Sequence, residues 1–197
     1  MSGLLDSIGN TLGADLQQQL GQQIGADPQK TSQAIQAALP MLLSVLNHNA
    51  SKPDGAASLL GALQRDHDGS LLDDIGGLLG GNVRGATADG AGIVQHVLGD
   101  HRENAEHAIA KQSGLDAAQA SQMLMALAPI VMGALGRMQR SQMLDAQGLS
   151  SLLKDEHAAT AQAQPGLMGL ASRLFSQQGA DGVMKEIGSL LGGGAKS

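Results

Sequence analysis

Apolar residues along the chain recur every three or four positions, and no stretch alternates apolar with polar for long enough to argue a strand. In LGADLQQQLGQQIG, Leu12, Leu16, Leu20 and Ile24 fall four apart, which predicts a helix with one apolar face. A denser run follows from Ala37 to Leu46, interrupted only by Pro40 and Ser44. A helix apolar on all sides belongs in the middle of a bundle. Upstream, Asp27-Pro28 reads as a helix cap followed by proline at the first helical position. Pro40 removes a backbone donor inside the helix and predicts a kink. Clusters of Gly, Asp, Asn and Pro at 49–55, 80–92 and 164–166 predict loops. The fold class is all-α, with short helices and proline-kinked apolar central helices packed as a bundle.

The pattern then repeats. At a shift of 89, Gly25 meets Gly114, Asp27 meets Asp116, Pro40 meets Pro129 and Leu46 meets Leu135. After one extra residue the register resumes, and Leu63, Asp66 and His67 meet Leu153, Glu156 and His157. A shorter unit occurs three times, as LLDSIGNTLG from Leu4, LLDDIGGLLG from Leu71 and VMKEIGSLLG from Val183. Each copy carries Ile-Gly, and a glycine within a helix costs about 1 kcal/mol against alanine. Its recurrence predicts that a neighbouring helix comes close there. A duplicated helical module with a terminal half-repeat accounts for this order. Its expected bounds are 1–69, 70–163 and 164–192, with a disordered tail at 193–197.

Composition narrows the chemistry. Phe175 is the one aromatic residue of 197, so the core is filled by Leu, Ile, Val, Met and Ala, which favours helices. Eighteen Asp and Glu against 12 Lys and Arg give a net charge of −6, which repels phosphate backbones. Without cysteine there is no disulfide, thiolate or cysteine-metal chemistry. The start of the chain lacks a basic, apolar leader, and no uninterrupted apolar run approaches the roughly 18 residues that span a bilayer. The expectation is a soluble, cytoplasmic protein.

The ordered strings DHDGSLLDDIGGLLGG, DGAGIVQHVLGDHRENAEHAIAKQSGLD and ASQMLMALAPIVMGAL resemble the bacterial domain-of-unknown-function family 937. The resemblance is close from Gly25 to Leu135 and weaker towards the C-terminus. It implies a small helical bacterial protein and supplies no activity, substrate or catalytic residue to carry over. Some relatives are joined to envelope-associated domains, whose sequence this chain does not carry.

Candidate sites are few. Asp66, Asp68 and Asp74 fall on the first, third and ninth places of a calcium-loop register, but Leu71 stands where the sixth place wants glycine, and Gly77 where the twelfth wants a bidentate glutamate. A cap at Ser70 with acids in the first helical turn is the better account, and leaves these three as weak metal candidates. His67 and His157 read as helix C-terminal histidines; His96, His101 and His107 lie five and six apart, off the spacing of helical zinc ligands. There is no nucleophile elbow and no phosphate loop leading from a strand, so no enzyme and no cofactor is expected. Arg137 and Arg140 are the only local basic group, a thin basis for a helix-turn-helix contact with nucleic acid. Met123, Met125, Met132, Met138 and Met143 form an adaptable apolar set, as core or as a surface for a protein partner or a second copy. The expected function is therefore non-catalytic protein–protein contact or self-association, with nucleic-acid binding and divalent-cation binding as alternatives.

Overall fold

The computed structural model describes residues 3–66, 72 and 83–163. Helices account for nearly all of them, in the order α1 (Leu4–Thr11), α2 (Ala14–Ile24), α3 (Pro28–Ala50), α4 (Pro53–Asp66), α5 (Val83–Leu98), α6 (Arg102–Ser113), α7 (Ala117–Ser141) and α8 (Ala146–Ala163), with a 3₁₀ turn at Gly99–His101. No strand occurs among the described residues. Middle and C-terminal repeat copies, Phe175 and the tail at 193–197 lie outside them, except for Leu72.

The two apolar helices, α3 and α7, cross at the centre of the bundle. Leu42, Leu43, Leu124, Leu127 and Met123 are among the largest side chains with no solvent contact, and each such side chain contributes about 1.5–3 kcal/mol by leaving water. Both helices run through their prolines as single elements of 23 and 25 residues, so the expected kinks do not divide them. Packing on every side holds the backbone where the donor is lost.

Both also begin alike. Asp27 Oδ1 accepts from the Lys30 amide at 2.9 Å and Asp116 Oδ1 from the Gln119 amide at 2.7 Å. Gln119 adds the return bond to the Asp116 amide, completing a capping box. Each preceding helix ends on a left-handed glycine, Gly25 at φ +69° and Gly114 at φ +70°, a conformation that costs other residues a Cβ clash.

These caps meet across the bundle. Gln119 Nε2 donates to the carbonyls of Gly25 (2.9 Å) and Ile24 (3.3 Å), while a Cβ on Gly114 would lie 3.7 Å from Lys30 Cε. At the shift of 89, Lys30 corresponds to Gln119 and Gly25 to Gly114, so matching positions face each other, with the hydrogen bonds made by Gln119. The same exchange holds between elements: α3 packs on α6 and α7 on α2, α3 packs on α8 and α7 on α4.

Several local expectations are corrected. The glycine-rich segment from Val83 to Gly92 is helical, the first part of α5. Gly90 allows close packing on α7: a Cβ there would run into the Met125 carbonyl oxygen. Leu12 and Ile24 do not share one helix, because the chain breaks at Leu12–Gly13 before α2 starts. Gly9 has open space where its Cβ would stand, so no neighbouring helix explains it. His157 sits mid-helix in α8, not at a C-terminus. Finally, α7 is long and apolar enough to cross a membrane by length and composition, although 72% of its most apolar window is buried inside the bundle. Scattered Gln, Ser and Gly residues hid that property from a search for uninterrupted apolar runs.

Candidate interaction cleft

A cleft of about 930 Å³ lies between α4 and α5, floored by α3 and α7. On α4 the spacing of Gly55, Leu59, Ala62 and Asp66 places them along one face, and Ile93, His96 and Val97 do the same on α5. Leu46 from α3 and Met132 from α7 supply the apolar floor.

Two close approaches fix the walls. A Cβ at Gly55 would collide with the Asn49 carbonyl, which sets α4 tightly against the end of α3; Gly90 does the same for α5 on α7. The Asn49 amide then donates to the Val97 carbonyl at 2.9 Å and ties the ends of α3 and α5 together. At the rim, Lys52 and Arg65 are balanced by Asp54 and Asp66, so the opening carries no strong field of either sign. The cleft is an apolar trough with a charge-balanced edge.

Asp66 is exposed at the end of α4, while Asp68 and Asp74 lie outside the described residues. Among the described residues no group of three or more histidines and carboxylates could hold a metal ion. His96 stands on the cleft rim, apart from the half-buried His101 and the exposed His107.

The methionines do not form one surface stripe. Met123 and Met132 are buried in the core, Met125 and Met138 are half-buried, and Met143 alone of the five is exposed, at 88%. The four methionines of α7 sit where that helix is largely covered, whereas Met143 follows it in the turn before α8. Met132 therefore bears on the cleft from below, and Met143 borders a second hollow beside Leu60, Arg140 and Leu144. Arg137 and Arg140 are exposed near the end of α7.

One contact was invisible in the sequence. Ser44 Oγ and His157 Nε2 lie 3.4 Å apart, joining α3 to α8 across 113 residues. Burial lowers the His157 pKa below its ordinary value of 6.5. The serine that interrupts the apolar run of α3 was the only hint. Ser44 is 4% exposed and His157 half-buried, and the pair ties α3 to α8. Arg102 plays a similar part, donating to Glu106 Oε1 at 2.7 Å and to Ser121 Oγ of α7 at 2.9 Å.

These features define an all-α bundle with an aliphatic core and a cleft on one side. Residues 6–138, from α1 to near the end of α7, match the family described as "Bacterial protein of unknown function (DUF937)", and the chain belongs to that family. No curated protein and no solved structure matches it. α8 lies beyond the matched region.

Proposed function

We propose that the chain is a non-catalytic protein-interaction module built from a duplicated helical unit, and that the cleft between α4 and α5 receives a short apolar helix. The observation that carries this reading is the place of α1. It lies on α7, with Leu4, Ile8 and its C-cap Leu12 wholly buried, and its N-cap Gly3 is so near α8 that a Cβ there would stand 2.7 Å from Glu156 Oε1. Under the repeat, Glu156 corresponds to Asp66, α8 to α4 and α7 to α3. The cleft is then the counterpart of the groove that α1 borders. Size agrees: a helix about 10 Å across fills 930 Å³ in about two turns, near the eight residues of α1. An apolar floor with a polar rim is the usual form of a helix-in-groove site.

The test is fluorescence anisotropy with a labelled peptide of the Leu4–Gly13 sequence. A saturable rise with the wild-type protein, abolished by Ala62→Arg in the cleft wall, is expected. No binding would reject the reading. Retention of duplex DNA that weakens steeply with salt would favour the nucleic-acid alternative instead. A thermal shift with calcium that Asp68→Asn removes would favour the cation site.

A further inference from the structure

The turn after α7 carries an apolar side chain where two other helices end on glycine. At the end of α2, the Gly25 amide donates to the Gln22 carbonyl and the Ala26 amide to Gly21. The end of α7 repeats both bonds, from the Met143 amide to Arg140 (3.2 Å) and from the Leu144 amide to Gln139 (2.9 Å). Met143 stands in the place of Gly25, at φ +50°. Gln139 Nε2 adds a bond to the Leu144 carbonyl at 2.8 Å, so the turn is well tied. Among the described residues, Met143 is the one non-glycine residue in the left-handed region and the one large apolar side chain left exposed. The fold gains nothing from it, since glycine would relieve the backbone and the side chain covers almost no surface. A residue kept against the interest of the fold points to a use outside it.

Beside Met143 lies a hollow of about 600 Å³, bordered by Leu60 and Gln64 of α4 and by Leu144 of the turn. One patch therefore holds both a protruding apolar side chain and an apolar recess. It also holds an exposed cation, Arg140, and an exposed anion, Asp145. A patch that carries knob and recess, and charges of both signs, is complementary to itself, as a twofold contact between identical chains requires. We infer that this patch joins two copies of the chain in a twofold dimer. Met143 of each copy enters the hollow between Leu60 and Leu144 of the other, and Arg140 of each comes opposite Asp145 of the other. One knob and one small hollow cover less than the roughly 1,000 Å² of a lasting interface, so the dimer is a weak one. The hollow shares no lining residue with the α4–α5 cleft, and the inference stands apart from the helix-binding reading.

Sedimentation equilibrium on the full chain, at concentrations up to about 1 mM, tests this. Wild type should pass from monomer to dimer and stop there, because a twofold contact closes on itself. Met143→Gly should weaken the dimer by at least about tenfold. The same variant should raise the melting temperature of the dilute protein, a change opposite in sign to anything that misfolding produces. Arg140→Glu, at an exposed position, should weaken the dimer less, and added salt should weaken it in the wild type. A wild type that stays monomeric at the highest concentration would overturn the inference, even if the patch were then found to hold a different protein. Assemblies that grow past the dimer, or a Met143→Gly chain that associates as the wild type does, would overturn it too.

Discussion

Residues that pair in the sequence stand on two sides of the bundle, and a cleft of about 930 Å³ opens on the α4 side. Leu135, Leu149 and Leu43 are at most 1% exposed. Their sequence counterparts Leu46, Leu59 and Met132 line an opening of about 930 Å³ and are themselves at most 9% exposed. The second half of the chain also contains α5, for which the first half has no equivalent: the short unit recurs after 67 residues and the long unit after 89, and the 22 additional residues contain α5. α5 supplies one wall of the cleft, and no helix stands between α1 and α2 at the matching place in the sequence.

The comparison can be broken most forcefully at the core. Leu124 and Ile35 correspond at the shift of 89, and both are buried. Truncation of Leu124 to alanine should cost about 2–5 kcal/mol in urea unfolding, and Ile35→Ala somewhat less, because Ile35 retains some solvent contact. A silent Leu124→Ala would mean that α7 is not the central helix.

The wall formed by α5 comes next. Gly90→Ala should destabilise by about 1–3 kcal/mol as the new methyl pushes α5 off the Met125 carbonyl. Gly92→Ala, two residues on with open space around it, should instead stabilise by up to about 1 kcal/mol. Equal effects at the two positions would remove the close approach that shapes the cleft.

Smaller effects separate the two helix starts. Asp27→Ala and Asp116→Ala should each lose about 1 kcal/mol, with the larger loss at Asp116, where Gln119 completes the box. At the other end of α7, Met143 adopts φ +50°, and Met143→Gly should gain about 0.5–1 kcal/mol by removing the Cβ from that conformation.

The mildest test is acid. Because burial lowers the folded pKa of His157, the unfolded chain binds the proton more readily, and stability falls as pH drops below 6.5 through the lowered value. Its contribution is fully present above 6.5. His157→Gln should flatten that part of the stability–pH profile, and an unchanged slope would place the titrating group elsewhere.

Much of the architecture was legible because helical periodicity and capping are local. Asp27, Asp116, Gly25 and Gly114 announce helix boundaries within a few residues of themselves, and the structure places them there. The glycine-rich start of α5 was read as a loop because glycine's low helix propensity is a local signal, whereas its reason, the Met125 carbonyl, is 35 residues away. The same limit hid the Ser44–His157 contact and the cleft itself, whose floor joins Leu46 of α3 to Met132 of α7, 86 residues further on. The methionine set shows the converse: its spacing was plain, but burial depends on what surrounds α7, and only Met143 emerges.

The bond from Gln119 to the end of α2 has a temporal consequence. The Ile24 carbonyl accepts from a side chain 95 residues further on. During synthesis the ribosome delivers α2 and α3 well before that donor exists, and water must serve the carbonyls in the interval. The first half therefore leaves the ribosome with its seam unsewn, and the protein acquires its finished shape only when the second half has been made.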